Sequence, residues 1–298
     1  MHLLSTLRVI LSLTGVICAN YTIFTDTNSA SDNQTSIATS IVNGMVTSTD
    51  YYPFISQLYI TENNGFSYSF ICTAELIGQQ HIITAAHCVS DDNMKLRSPS
   101  LFRLNIGSAT LATLSDIINF YTVTNIYGAG FATSFANDVV ILRLNKPVPS
   151  SIATPVKIYP YKITANLPVE VAGFGSIYYG GPISKTLLRT LINVSDSSNC
   201  SAFNPDWANN SGPLVCSISI NGNAACNGDS GGPMVAKLNG KRVLVGTVSW
   251  GENMDPKSNI NCGANNVSFY VRTAYFVKWI ASVMNVDYNT LIEIVNSS

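Results

Sequence analysis

A serine between an aspartate and two glycines is the residue that most directly suggests chemistry in this sequence. Ser230 lies in the stretch CNGDSGGPMV, residues 226–235. A Gly-Gly-Pro run cannot continue a helix, so it predicts a tight turn in which the backbone comes close to other groups. A serine hydroxyl becomes a nucleophile only when a neighbouring base removes its proton. The stretch is equally compatible with an ordinary surface turn, so the base has to be sought elsewhere in the chain.

One histidine of the sequence is a good candidate for that base. His87 belongs to TAAHC and directly precedes Cys88, so a disulfide could anchor the turn that carries it. A neutral imidazole, with a pKa of about 6.5, is the natural proton acceptor at physiological pH. His81 stands at the start of an apolar stretch and fits a structural role at an exposed strand end better.

Asp138 is the candidate partner for the second ring nitrogen of such a base. It opens the apolar run NDVVILRL, residues 137–144, so its carboxylate is expected near buried strand ends. A buried carboxylate without a partner costs free energy, and a histidine N–H would satisfy it. The same residue could also be an ordinary turn aspartate before a strand.

Taken together, TAAHC, NDVVILRL and GDSGGP occur in the order His, Asp, Ser, and they resemble the trypsin- and chymotrypsin-like serine proteases. The resemblance covers residues 41 to about 284. It implies a serine endopeptidase in which Ser230 is the nucleophile, His87 the base and Asp138 the residue that orients the base. It also implies that the backbone N–H groups of Gly228 and Ser230 bind the oxygen that becomes negative during attack.

The resemblance assigns roles to further residues. Asp229 would pair with a new amino terminus at Ile41, formed by a cut before the IVNG motif; because Ser40 precedes that motif, a trypsin-like activating protease is disfavoured. The resemblance places the uncharged Ala224 at the floor of the substrate pocket. The pocket is therefore expected to favour apolar or aromatic side chains before the cut bond. Glu252 or Asp255, in an unusually long segment up to Cys262, could fold over its entrance. The residues implied to line the pocket are Ala224, Ala225, Gly251, Ser268 and Ser249, the last of which would lie near Asp138.

Six cysteines follow Cys18, which belongs to the N-terminal segment. An even number indicates disulfides in an oxidising compartment, and six cysteines allow fifteen pairings. Neither a CxxC pair nor a histidine-rich cluster is present, which argues against a zinc site. We expect no required metal and no cofactor. The family resemblance implies the pairs Cys72–Cys88, Cys200–Cys216 and Cys226–Cys262.

The N-terminal segment has the pattern of a secretory signal peptide over residues 1–19, although a membrane anchor is the alternative. Residues 20–40 are polar and rich in serine and threonine, and we interpret them as a propeptide. No later stretch approaches the roughly 18 apolar residues that a membrane span needs, so a secreted, extracellular protein is expected. Asn-x-Ser/Thr sites, potential acceptors of glycans, occur at Asn20, Asn33, Asn193, Asn199, Asn209, Asn266 and Asn296.

Short β-branched runs separated by turn residues predict an all-β fold. The family resemblance makes this more specific, with two antiparallel six-stranded β-barrels at about 41–150 and 151–272 and an α-helix at about 273–284, all within a protease domain over 41–298. His87 and Asp138 would come from the first barrel and Ser230 from the second. The site would then lie in the cleft between the barrels.

The formal net charge is −1, so nucleic acid is not an expected partner. Protein or peptide substrates, an activating protease and protease inhibitors are the expected partners of a monomeric chain. The alternative function is that of a catalytically silent homologue, which binds or inhibits other proteins; such homologues usually lose a triad residue, and this sequence retains all three. An esterase with alternating strands and helices is disfavoured by the β-rich sequence.

Overall fold

The computed structural model of the chain describes residues 21–22 and 44–295, apart from 63–66, 166, 197 and 220. The predicted signal peptide, the predicted propeptide beyond residues 21–22, and Ile41 therefore lie outside the described residues. Among the helices that are described, none has both the length and the apolar character needed to cross a membrane.

The described residues form mostly antiparallel β-structure, as the sequence predicts. The strands are β1 (Tyr21–Thr22), β2 (Met45–Val46), β3 (Ile55–Glu62), β4 (Ser67–Gly78), β5 (His81–Thr84), β6 (Phe102–Ile106), β7 (Tyr121–Gly128), β8 (Val140–Leu144), β9 (Pro168–Gly173), β10 (Leu188–Asn193), β11 (Leu214–Ser219), β12 (Pro233–Leu238), β13 (Lys241–Asn253) and β14 (Asn266–Arg272).

The first sheet closes into a six-stranded barrel. Its order is β4-β3-β6-β7-β8-β5, and β5 pairs back with β4, while β1 adds to the outer side of β4. Side chains alternate along these strands, as in β6, where Phe102 and Leu104 are buried and Arg103 is partly exposed. This period of two allows one face of each strand to fill the barrel while the other face packs elsewhere or meets water.

The second sheet has the order β11-β14-β13-β12-β9-β10-β2. An isolated antiparallel bridge between Val194 and Ser217 links the end of β10 to β11. One cluster of buried apolar side chains runs from the first barrel into this second sheet, with Leu58 and Leu104 on one side and Val235 and Phe269 on the other. The shared core fixes the two halves against each other, so residues from both can meet at one site.

The chain continues into the predicted C-terminal helix. A 3-10 turn, Thr273–Phe276, leads into α2 (Val277–Met284), which ends at Asn285 in a left-handed conformation with φ 54°. Asparagine tolerates this conformation and commonly ends helices in this way. A closed six-stranded barrel, a second antiparallel sheet and a short C-terminal helix confirm the predicted fold class. The sequence did not predict α1 (Ser198–Phe203), a short helix whose Cys200 is buried.

Candidate active site

His87 lies on a short 3-10 turn, Ala86–Val89, directly after β5. Its neighbour Cys88 forms a disulfide with Cys72 of β4. The turn is thus held covalently to the adjacent strand. The side chain of His87 is 31% exposed, so the ring is only partly buried.

Asp138 follows another 3-10 turn, Phe135–Asn137, and precedes β8. Its side chain is 4% exposed, and both of its oxygens face His87. Oδ1 accepts the backbone N–H of His87 at 2.8 Å, and Oδ2 lies 2.8 Å from the ring Nδ1. Because a carboxylate can only accept, Nδ1 carries the proton and Nε2 has its lone pair free for a proton. The carboxylate therefore fixes both the tautomer and the orientation of the ring.

Ser249 adds a third donor to the same carboxylate, through a hydroxyl 2.5 Å from Oδ2 of Asp138. The pairing register of β13 explains how it reaches across from the second sheet. Val248 pairs with Tyr270 and Trp250 with Phe269, which leaves Ser249 as the extra residue of a β-bulge. A bulge redirects a side chain away from the regular alternation.

The electrostatic environment of His87 and Asp138 favours protonation of the histidine. Burial lowers the pKa of His87, but the charge of Asp138 and its hydrogen bond outweigh burial and raise the pKa above 6.5. Burial likewise raises the pKa of Asp138, but His87 and the hydrogen bonds together bring it below its usual 3.8. Asp138 is therefore ionised at neutral pH and stabilises a protonated imidazole.

Ser230 lies on the tight turn that leads into β12. Its carbonyl accepts the N–H of Thr73 at 3.0 Å, and the next N–H, from Gly231, donates to Val248 at 2.8 Å. Gly231 has φ +75°, and a Cβ there would lie 3.0 Å from the backbone nitrogen of Ala85. The serine turn is thus packed directly on the end of the segment that carries His87, and only glycine allows this approach.

The structure has no hydrogen bond between the Ser230 hydroxyl and the ring of His87, whose Nε2 lies 3.8 Å from Cys88 Sγ. Hydrogen bonds of this kind often tighten only when a substrate is bound. Within the described residues, the backbone N–H groups of Gly228 and Ser230 donate to no acceptor.

Asp229 is fully buried beside this turn. Its carboxylate accepts the N–H of Gly175 at 2.8 Å and the N–H of Cys226 at 2.9 Å. Burial raises its pKa to about 7, although the two N–H donors act in the opposite direction. An interior carboxylate of this kind would be stabilised by a cation. The expected partner, the amino group of Ile41, lies outside the described residues.

The residues expected to line the pocket differ in exposure. Ala224 and Ser268 are 2% and 5% exposed, whereas Ala225 and Gly251 are partly exposed. Gly251 and Ser268 lie directly opposite each other on β13 and β14. Ser249 contacts Asp138, near which the resemblance implies that it lies. The structure thus places Gly251 beside Ser268 and Ser249 beside Asp138.

The long segment after Gly251 is held by two buried asparagines. Asn253 Nδ2 donates to the carbonyl of Ile260 at 3.0 Å, and Asn266 Nδ2 donates to that of Asn261 at 2.8 Å. Asp255 and Glu252, the acidic residues that could have covered the pocket entrance, are exposed. Asp255 accepts the N–H of Lys257 and so stabilises a local turn.

The glycosylation motif at Asn266 cannot be used in this fold. The residue is fully buried on β14, and its side-chain nitrogen is already a hydrogen-bond donor. Asn193, Asn199 and Asn209 are exposed, and the motifs at Asn20, Asn33 and Asn296 lie outside the described residues.

The three disulfides are those that the family resemblance implies. One group of residues in the described part of the chain has the spacing of a metal site, namely Cys72, His87 and Cys88. Because its two sulfurs are bonded to each other, they cannot act as thiolate ligands.

Sequence reasoning missed Thr73, which contacts the serine turn twice. Its backbone N–H donates to Ser230, and its hydroxyl donates to the carbonyl of Gly228 at 3.0 Å. The available signal was the position of Thr73 directly after Cys72, because the disulfide partner expected for Cys72 is Cys88, which adjoins His87.

A sequence model of the trypsin family matches residues 41–280. The chain is 30% identical to Serine protease SP24D of Anopheles gambiae over 246 residues, 82% of this chain and 81% of that protein. It is 28% identical to Chymotrypsin-C of Bos taurus over 236 residues, 76% of this chain and 81% of that protein. It is also 28% identical to Transmembrane protease serine 11G of Rattus norvegicus over 254 residues, 83% of this chain.

The match covers only 56% of that transmembrane protease and 49% of its counterpart in Mus musculus, so the chain spans about half the length of these relatives. The family model matches most of the chain, and the fold and the contacts around His87 agree with that match. The chain belongs to the trypsin family of serine proteases.

Proposed function

We propose that the protein is a secreted serine endopeptidase that uses Ser230 as nucleophile, His87 as base and Asp138 as the residue that orients the base. The observation that carries this proposal is the double contact of Asp138 with His87, through Nδ1 and the backbone N–H, both at 2.8 Å. Such a contact leaves Nε2 as the proton acceptor of the ring.

The reaction follows from these positions. Ser230 Oγ attacks the carbonyl carbon of the peptide bond while its proton passes to Nε2 of His87. The resulting oxyanion is bound by the N–H groups of Gly228 and Ser230, donors worth about 2.7–4 kcal/mol each in a related site. When the intermediate collapses, His87 gives the proton to the leaving amine and an acyl-enzyme remains. Water then attacks the ester by the same proton transfers, which restores the Ser230 hydroxyl.

The pocket supports a preference for uncharged side chains, apolar or aromatic, before the cut bond. Ala224 would form its floor and carries no charge. A buried lysine or arginine side chain there would lack a partner, which costs several kcal/mol. Protein or peptide substrates of this kind, and inhibitors that mimic them, are the proposed partners of a monomeric enzyme.

We further propose that the enzyme is made as an inactive precursor. Removal of residues 1–19 on secretion and a cut after Ser40 by a separate protease would create an amino group at Ile41. Asp229, which is buried and has no ion pair among the described residues, is the proposed partner of that group, and their pairing would order the serine turn. Asn193, Asn199 and Asn209, exposed in the fold, are the proposed glycan sites.

The test is a digest of a defined peptide library by protein cleaved before Ile41, alongside the matched Ser230→Ala variant. We expect cuts after uncharged residues that disappear in the variant, with circular dichroism showing that both are folded. Cutting mainly after Lys or Arg would overturn the pocket assignment. If the folded, cleaved protein cuts nothing, the catalytically silent homologue is the better assignment.

A further inference from the structure

A partly open groove lies between two loops of the first barrel, and we call it the loop groove. One wall belongs to the loop that follows the turn of His87, and the other runs from the end of β7 toward Asp138. Its volume is about 410 Å³, within the range of about 300–1,000 Å³ that is usual for small-ligand sites. The residues that line it are Met94, Lys95, Leu96, Gly128, Gly130, Phe131 and Ala132.

The lining of the loop groove is mostly apolar and is held in place by packing. A Cβ placed on Gly128 would lie 3.3 Å from Leu96 Cδ1, so the two walls come into contact there. The ring of Phe131 is 7% exposed and packs edge-to-face on Phe135, with ring centroids 5.4 Å apart. The apolar surface therefore exists before any ligand binds.

The backbone along the two walls is already paired. Leu96 forms an antiparallel bridge with Ser90, and Gly128 pairs with Val140 in the sheet. A peptide that binds by strand addition needs a row of unpaired backbone groups. The loop groove offers side-chain surface instead, which favours a ligand with an apolar chain over an extended peptide.

Lys95 is the one charged residue among the described residues that line the loop groove. It is exposed, and it has no ion pair within the described part of the chain. Asp91, on the same loop, is occupied by backbone, since its Oδ1 accepts the N–H groups of Asn93 at 3.0 Å and Lys95 at 2.9 Å. A single ammonium group beside an apolar surface complements a ligand with one anionic head.

The backbone of Met94 is strained where its side chain meets the loop groove. Its φ is 59°, in the left-handed region that few residues other than glycine adopt. Its N–H donates to the carbonyl of Asp91 at 2.9 Å, which holds the turn. Strain of this kind is concentrated at sites that clamp ligands. The strained turn also supplies a methionine, whose flexible side chain adapts to apolar ligands of varied shape.

We propose that the loop groove binds a fatty acid of medium length, with its chain against Leu96 and Phe131 and its carboxylate beside Lys95. Neither His87, Asp138 nor Ser230 lines the groove. The site is therefore separate from the proposed reaction centre, and the proposal does not depend on the endopeptidase function.

The test is calorimetric titration of the folded protein with hexanoate, octanoate and decanoate, each below the concentration at which it forms micelles. We expect a Kd for decanoate on the order of 0.1–1 mM. Affinity should rise about threefold to fourfold for each CH₂ group that becomes buried. Decylamine, which has the same chain and a cationic head, should bind at least about fivefold more weakly.

Two results of this titration would overturn the proposal. One is that decanoate does not bind, or that decylamine binds equally well. The other is that a peptide amide rich in Leu and Phe binds more tightly than decanoate, which would indicate a protein partner.

Two variants locate the site, each with a matched control. Ala132→Phe fills the groove from one wall and should weaken decanoate binding at least about tenfold. Lys95→Gln should weaken it about 2–5-fold, as expected for an exposed charge. Ala202→Phe and Lys162→Gln make the same changes at exposed positions outside the groove and should leave Kd within about twofold. Losses as large in the controls would contradict the assigned site.

A methyl label on methionine reports on the site without any variant. The NMR signal of the Met94 methyl group should shift as decanoate is added, with the midpoint found by calorimetry. The signal of Met234, buried in the core of the second sheet, should not shift. If decanoate binds while the Met94 signal stays in place, the ligand lies elsewhere and the proposal is wrong. None of these measurements needs catalysis, so their failure leaves the proposed function untouched.

Discussion

Ser249 Oγ lies 2.5 Å from Oδ2 of Asp138, although the two residues belong to different sheets. The same carboxylate receives the ring and the backbone N–H of His87. Three donors thus satisfy a side chain that is almost fully buried, and each favours its ionised form. The hydrogen bond from Ser249 to Asp138 also joins the two halves of the fold at the site of the proposed reaction.

Replacing Asp138 by asparagine is expected to lower kcat by about 10⁴-fold, because an amide nitrogen facing Nδ1 favours the wrong ring tautomer. Steady-state kinetics on a small uncharged substrate would measure this. Ser249→Ala is the comparison, since it removes one donor but leaves the acceptor, and we expect a loss of about tenfold or less. Equal losses in the two variants would contradict the assigned roles.

The pH profile of kcat/KM should rise through a pKa above 6.5. His87 must be neutral to accept the serine proton, and Asp138 raises its pKa by stabilising the protonated form. In Asp138→Asn the raising effect of the charge is lost while burial still lowers the pKa, so the residual activity should rise at lower pH. An inflection that does not move would show that Asp138 has no electrostatic influence on the titrating base.

The disulfides Cys72–Cys88 and Cys200–Cys216 provide a matched comparison, since both span a sequence separation of 16. Replacing either pair by serines should cost about 3 kcal/mol in the free energy of unfolding, because the loops are equal in length. Only Cys88 adjoins His87. The first double variant should therefore also lose activity, on the order of 10–100-fold.

Chemical denaturation and kinetics on the same samples would separate the two effects. If the two double variants lose activity equally at a temperature where both are folded, the Cys72–Cys88 bond has no specific role in positioning His87.

The burial of Glu75 predicts an unusual dependence of the free energy of unfolding on pH. It is fully buried on β4, and neither carboxylate oxygen has a hydrogen-bond partner among the described residues. Burial raises its pKa well above 4.5. The folded state therefore binds the proton more tightly than the unfolded state, and Glu75 reduces stability as pH rises from about 4.5 toward the raised pKa.

Glu75→Gln should thus stabilise the protein at pH 8 by about 1–3 kcal/mol, with the difference closing toward pH 4. Thermal melts across that range would measure the trend. Asp92→Asn, at an exposed position, is the control and should leave the pH dependence unchanged within about 0.5 kcal/mol. A difference for Glu75→Gln that is constant with pH would contradict the buried, protonated acid.

The chain beyond α2 contributes to stability. Leu291 is 5% exposed and its carbonyl accepts the N–H of Ile158, with which Ile292 forms a parallel bridge. Leu291→Ala should cost about 2–4 kcal/mol in the free energy of unfolding. Ile294→Ala, at a residue 56% exposed, should cost less than about 0.5 kcal/mol. Similar losses would mean that the tail is not packed as described.

The family resemblance of three short motifs was sufficient to predict the fold class and the pairing of the cysteines. Asp138 could be selected because an aspartate at the start of a buried strand needs a partner. The strands on either side of TAAHC and GDSGGP could be recognised in the sequence as apolar stretches bounded by turn residues.

The contacts that could not be predicted depend on register across strands. The sequence carries no signal for the bulge that brings Ser249, expected near Asp138, into contact with it. It likewise carries none for the offset of β13 and β14 that brings Asn266 to Gly251. Asn266 also looked like a glycan acceptor, since a three-residue motif carries no information about burial. Glu75 was unremarked because a single acid in an apolar run does not reveal whether a partner exists.

The proposed mechanism is tested most directly by the reaction of folded protein, cleaved before Ile41, with a fluorophosphonate probe, followed by intact and peptide mass spectrometry. We expect one adduct per chain, located on Ser230, absent in Ser230→Ala and formed much more slowly in His87→Ala. A folded, cleaved protein that forms no adduct, or that carries it on another residue, would contradict the proposed mechanism.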